Sequence, residues 1–114
     1  MEKFVLHQKV YDFTLWLYPI INRLPKNHRF VLGQKLEDLS VSLLLSVAQA
    51  NKLRGEERRN RQVEASDLLD YLRIMLRLAK DTRGISIKQY ALGVEKLNEI
   101  GLMLSSWMRT NGGV

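Results

Sequence analysis

Residues 32–50, LGQKLEDLSVSLLLSVAQA, decide the fold, because apolar residues recur in them at intervals of three and four. On a helical wheel the recurring residues form one stripe, consisting of Leu32, Leu36, Leu39, Leu43, Val47 and Ala50. Such a stripe predicts an amphipathic helix that packs one face against a helical core. The period-two alternation typical of strands does not compete with it.

The same spacing continues on both sides and predicts four helices, over about residues 3–23, 28–52, 57–80 and 87–109. The predicted core stripe of the first helix consists of Leu6, Val10, Phe13, Leu17, Ile20 or Ile21, and Leu24. That of the third helix consists of Ala65, Leu68, Leu72, Met75 and Ala79. Because the links are short, we expect an all-α, up-down-up-down antiparallel four-helix bundle over residues 1–110, followed by a disordered tail at 111–114.

Local signals mark the helix ends. Pro19 predicts a kink, or an early end followed by a restart, because proline lacks an N–H donor and clashes with the preceding turn. Asn27 and Ser86 are predicted N-caps of the second and fourth helices. Gly55 is predicted to take the left-handed conformation after the second helix.

Composition excludes several classes of protein. The 114 residues contain no cysteine, so disulfides, zinc–thiolate sites and thiol nucleophiles are excluded. The amino-terminal residues do not form a signal-peptide core, and the longest apolar runs are too short to cross a bilayer. We therefore expect a cytoplasmic protein without a membrane partner.

The residues offer no catalytic chemistry. His7 and His28 lack a nearby ligand set, the carboxylates are dispersed, and phosphate-loop and dinucleotide motifs are absent. Serines 40, 42 and 46 have the spacing of small packing residues. We expect no enzyme activity, cofactor, metal or small-molecule substrate.

The formal charge of +6 favours an anionic partner. A basic row on the third helix, Arg73, Arg77 and Lys80, follows at i, i+4 and i+7 beside the predicted core stripe. Two further groups are candidates for binding: Lys26, Arg29 and Lys35, which lie in a stretch without acids, and Arg58, Arg59 and Arg61, which nearby glutamates compensate. The alternative for such rows is a solvated, salt-bridged face. Phosphate contacts by these residues would be independent of sequence and sensitive to salt.

The second helix carries a second apolar face roughly opposite its core stripe. It consists of Phe30, Val41, Leu44, Leu45 and Ala48. Tyr11, Leu15 and Tyr18 repeat the feature on the first helix, and Ile74 does so on the third. Scattered surface apolar residues are the ordinary alternative, but the contiguity favours self-association. The pattern does not determine the subunit number.

Several strings together resemble a known family. They are Leu17-Tyr18-Pro19-Ile20, Leu24-Pro25-Lys26, Arg29-Phe30, Leu32-Gly33, Leu72-Arg73-x-x-Leu76-Arg77-Leu78-Ala79 and Glu99-Ile100-Gly101-x-Met103-Leu104-x-x-Trp107. Their order and spacing, over nearly the whole chain, resemble the accessory variability determinant (Avd) proteins of diversity-generating retroelements. No single string is diagnostic.

The resemblance implies a four-helix bundle that assembles as a ring-like homopentamer with a basic surface. It further implies binding to the element's reverse transcriptase and to nucleic acid, template RNA or cDNA, in support of mutagenic retrohoming. The resemblance also implies that the protein contributes no catalytic group. Arg73 and Arg77 match the basic residues of the family's Leu-Arg-x-x-Leu-Arg string.

Three alternatives stay open at this point. A related bundle family, encoded in intervening sequences of bacterial ribosomal RNA, shares the architecture. A purely structural oligomer would need the second apolar face but not the basic row. A helical-bundle enzyme would need clustered carboxylates or histidines, which the sequence lacks.

Overall fold

Four helices run along the length of the molecule. A computed structural model describes the backbone of residues 2–110 and the side chains of residues 5–110, so the predicted disordered tail at 111–114 lies outside the described residues. We number the helices α1 (Glu2–Asn22), α2 (Lys26–His28, Arg29–Gly33 and Gln34–Lys52, which follow one another directly), α3 (Gly55–Asp81) and α4 (Ile87–Thr110). Residues 2–110 contain no strand, and the all-α prediction is confirmed.

The helices pack as a bundle of 46 × 22 × 19 Å. Each helix contacts the next along the chain, and α1 also contacts α4. Links of a few residues between long helices give the up-down-up-down order that the sequence predicts. Among residues 2–110, no helix combines the length and the apolar character needed to span a membrane.

The core stripes of α1 and α2 are confirmed. Their predicted members are buried, with Ile21 inside and Ile20 at its edge. On α3 the prediction is partly wrong, because Leu69 and Leu76 are buried where Leu68 and Met75 are only half-buried. Leu68 is adjacent to Leu69 in the sequence, and Met75 is adjacent to Leu76. Either member of each pair therefore satisfies a spacing of three or four residues.

Helix α1 continues through Pro19 to Asn22, so the predicted early end is wrong. The proline carbonyl still accepts a bond from the N–H of Arg23 at 3.2 Å. Helix α2 begins at Lys26 directly after Pro25, which places Asn27 inside the first turn without a capping bond. Pro25 occupies the N-cap position that Asn27 was predicted to occupy, so that prediction is wrong.

Helix α2 contains a π-helical segment, Arg29–Gly33, which the spacing of the residues did not predict. The N–H of Gln34 donates to the carbonyl of Arg29, five residues earlier. Gly33 is buried, and a Cβ at this position would lie 3.2 Å from side-chain carbons of Ile21 and Leu24. The absence of a side chain at Gly33 therefore lets α2 approach α1 closely.

The turn between α3 and α4 has a defined structure. The N–H of Gly84 donates to Ala79 at 2.7 Å and that of Arg83 to Lys80 at 2.9 Å, which is a Schellman motif. Ser86 caps α4 as predicted, since its Oγ accepts from the N–H of Gln89 while Gln89 Oε1 accepts from the N–H of Ser86.

Candidate nucleic-acid interface

Two turns meet at one end of the bundle. The turn between α1 and α2 lies against the turn between α3 and α4. The closeness is seen at Gly84, where an added Cβ would lie 3.3 Å from Leu24 Cδ2 and 3.7 Å from His28 Cδ2. We call this region the basic end and define it as residues 22–35 and 77–90. An up-down-up-down bundle brings these two segments together although more than forty residues separate them in sequence.

The basic end carries the positive charge of the protein. Its 28 residues hold eight of the 18 lysines and arginines but one of the 12 acidic residues, Asp81, so their net charge is +7. The remaining residues hold ten basic and eleven acidic residues, a net charge of −1. The formal charge of +6 is therefore concentrated on one end of an elongated molecule, where it attracts anions.

Most cations of the basic end are exposed and make no ion pair with any side chain of residues 5–110: Arg23, Lys26, Lys35, Arg83 and Lys88. Arg29 is also exposed, but its guanidinium donates to the carbonyl of Leu24 at 3.3 Å. Asp81 faces both Arg77, at 3.6 Å, and Lys80, at 3.3 Å. The turn at 24–28 and the turn at 82–86 thus offer the less neutralised charges.

The predicted row on α3 does not act as three equivalent cations. Arg73 lies between α3 and α4 with 34% of its side chain exposed, and it binds Asp70 at 2.9 Å and Asn98 Oδ1 at 3.3 Å. Lys80 lies over the ring of Tyr90, with Nζ 4.6 Å from the centroid. Arg77 is the most accessible of the three, because 73% of its side chain is exposed.

The second apolar face is exposed only in part. Val41 is 40% and Leu45 is 55% exposed, whereas Leu44 packs against the core and Ala48 is half-buried. Helix α1 adjoins α2 and exposes Tyr11, Leu15 and Tyr18. Helical geometry turns these α1 side chains toward the α2 side, so the two helices present one apolar surface.

Comparison with known proteins identifies the family of the chain. The model of the bAvd-like family matches residues 4–111, nearly the whole chain. The chain belongs to the bAvd-like family.

This confirms the resemblance to Avd proteins that the sequence strings indicated. No curated protein matches the sequence of this bAvd-like chain. A crystal structure of a protein of unknown function, from the S23 ribosomal protein family from Bacteroides thetaiotaomicron, is similar to it with a TM-score of 0.88. The two chains share 20% identity over 96% of this chain and 100% of the other, so the likeness shows the fold alone.

Arg58, Arg59 and Arg61 of the bAvd-like chain lie at the opposite end of the bundle. Arg58 donates to the carbonyl of Ala50 at 3.0 Å and to that of Asn51 at 3.4 Å, and its guanidinium lies over the ring of Trp107. Arg59 reaches the carbonyl of Met108 at 3.4 Å. Arg61 pairs with Glu64 at 3.0 Å. The contacts of Arg58 give it a structural role at the end of α2.

Sequence reasoning did not single out three cations of the basic end: Arg23, Arg83 and Lys88. Each stands alone in the sequence, so no row or run of charge marks it. The predicted topology could have identified them, because the first and third links of an up-down-up-down bundle fall at the same end and bring these three cations together.

Proposed function

We propose that this chain is a non-catalytic accessory factor of a diversity-generating retroelement. In this role it binds the reverse transcriptase of the element and nucleic acid, template RNA or cDNA, and supports mutagenic retrohoming. Membership of the bAvd-like family supports the assignment to the retroelement. Two surfaces of the bundle, the basic end and the apolar face of α1 and α2, support the binding and assembly roles.

The observation that carries the nucleic-acid proposal is the concentration of charge at the basic end. Lysine and arginine bind backbone phosphates and release condensed counterions, so the affinity is expected to fall steeply with salt. Contacts of this type do not read base identity. The complex should therefore tolerate many sequences.

The apolar surface of α1 and α2 supports self-association, and the family implies a homopentameric ring. Exposed apolar groups release water when a second subunit covers them, which favours association. A ring repeats the basic end in every subunit and multiplies weak phosphate contacts. Arg77 is exposed and lies within the family's string, and it is our candidate for contact with the transcriptase.

A double charge reversal tests the nucleic-acid proposal. Lys26→Glu with Lys35→Glu changes the charge of the basic end by four units, and both side chains are exposed. We expect affinity for an RNA or DNA oligonucleotide at physiological salt to fall by at least about tenfold, because phosphate contacts become repulsive. Gel-shift or anisotropy titrations over a range of salt concentrations would measure the loss.

The matched control is Lys52→Glu with Arg54→Glu, which makes the same change of charge at the opposite end. It should keep most of the affinity. Equal losses in both variants would show a general charge effect and refute a site at the basic end. Unchanged binding in the first variant would refute the basic end as the site of binding. A wild-type chain that binds no nucleic acid would favour the alternatives, a purely structural oligomer or a bundle protein of the ribosomal RNA intervening sequences.

A further inference from the structure

We infer that the basic end binds single-stranded nucleic acid, with one base stacked on the exposed ring of Phe30. The inference rests on the proposed nucleic-acid function and adds the form of the strand and an aromatic contact. It follows from the π-helical segment, from the exposure of Phe30 and from the cations around it.

Phe30 lies in the π-helical segment and its side chain is exposed to solvent. Phe30 is 73% exposed, and its neighbour Val31 is 69% exposed, while Leu32 and Gly33 in the same segment are buried. Exposure of most of a phenylalanine side chain forgoes much of the free energy that its burial would give. π-Helical turns are frequent at functional sites, which is consistent with a binding role for Phe30.

The same segment interrupts the regular helix on which the residue spacing assigned Phe30 to the apolar face. Regular α-helical rotation of about 100° per residue would align Phe30 with Val41 and Ala48. A π-helical turn contains more residues, so each residue rotates less, and Phe30 is displaced from that line. The wheel alignment that placed Phe30 in the subunit interface assumed a regular α-helix, which residues 29–33 do not form.

Cations surround Phe30 on both sides along α2. Lys26 precedes it by four residues and Lys35 follows it by five, which places both within about one turn, and residues 22–35 contain no acid. The other aromatic residue of the basic end, Tyr90, is half-buried and covered by Lys80. In this arrangement the aromatic ring can stack on a base, and the cations on either side can bind the phosphates that flank the base.

This arrangement selects a single strand over a duplex. Proteins that bind single strands combine a cationic surface with aromatic side chains on which bases stack. Bases inside a duplex already stack on one another, so a surface phenylalanine would have to unstack them before contact. Duplex binding at this end would use the cations alone.

Substitution of Phe30 tests the inference. Phe30→Leu keeps an apolar side chain but removes the aromatic face, and because the side chain is exposed the bundle should fold normally. The probes are a single-stranded DNA oligonucleotide, a duplex of equal length and an abasic strand of equal length. We expect affinity for the single strand to fall at least about fivefold, the lower limit of base–aromatic stacking, and affinity for the other two probes to change less than about twofold.

Two further variants sharpen the test. Val31→Ser removes the adjacent exposed apolar group and should leave all three affinities unchanged. Phe30→Trp should retain or exceed wild-type affinity for the single strand. Sedimentation of the Phe30→Leu variant should match the wild type, since the inference assigns the ring to nucleic acid and not to the subunit interface.

Three results would overturn the inference: an equal loss for all probes, no loss for the single strand, or smaller assemblies of the Phe30→Leu variant. None of them removes the proposed nucleic-acid site at the basic end, which is refuted if Lys26→Glu with Lys35→Glu binds like the wild type. The two hypotheses therefore fail on different variants.

Discussion

Arg83 combines backbone strain with an exposed charge. Its φ of 64° lies in the left-handed region, at the position of the Schellman motif that glycine usually occupies. The left-handed conformation costs a residue with a side chain about 1–2 kcal/mol. Arg83→Gly should raise the free energy of unfolding by about 0.5–1 kcal/mol, since the greater chain entropy of glycine offsets part of the relief. The same variant should bind nucleic acid more weakly because it lacks one unpaired cation.

Urea denaturation and oligonucleotide titration would measure these opposite effects. Arg83→Lys retains both the charge and the strain and should resemble the wild type in both measurements. A glycine variant that binds fully would remove Arg83 from the proposed site, and one without added stability would contradict the strain.

Carbonyl groups at the end of helix α2 accept hydrogen bonds from a side chain of the next helix. Its last residue is Lys52, and the guanidinium of Arg58 from α3 satisfies the carbonyls of Ala50 and Asn51. Arg58→Met should lower the free energy of unfolding by about 1–3 kcal/mol, because charged hydrogen bonds to helix carbonyls are lost. Arg61→Met, which breaks only an exposed pair with Glu64, should cost less than about 1 kcal/mol.

Chemical denaturation of the two variants would measure the difference, and nucleic-acid titration would show whether either arginine also binds. We expect both variants to retain affinity, since they lie at the end opposite to the basic end. Equal stability of the two variants would contradict the capping role of Arg58.

At the scale of the whole molecule, the apolar surface of α1 and α2 should control assembly. Val41→Glu with Leu45→Lys replaces two exposed apolar side chains, so the folded subunit should lose little stability. Assembly should fail, because burial of unpaired charge in an interface is costly. Sedimentation at micromolar concentration should show smaller species with unchanged helical circular dichroism.

Ser42→Glu with Gln49→Lys is the matched control, because it places the same charges on exposed polar positions of α2. It should assemble like the wild type. A wild-type chain that sediments as a monomer would refute self-association altogether.

The sequence by itself determined the helices, their order and the core of α1 and α2. Spacing of three and four residues is a local property of the chain, and in α2 one continuous stripe satisfies it, so the buried face follows from the pattern. The cap at Ser86 is local for the same reason, since both bonding partners lie within one turn. The Avd resemblance also came from order and spacing alone.

Tertiary structure alone decided which face of α3 is buried, which residues the arginines contact and which turns meet at the basic end. Leu68 and Leu69 fit the periodicity equally well, and only packing against the other helices selects Leu69 for the core. Arg73 and Arg58 appear as surface charge in the sequence, yet their contacts include Asn98 and Trp107, which lie 25 and 49 residues away. The two turns of the basic end meet for the same physical reason: contacts between distant segments depend on how the helices pack, which local periodicity does not encode.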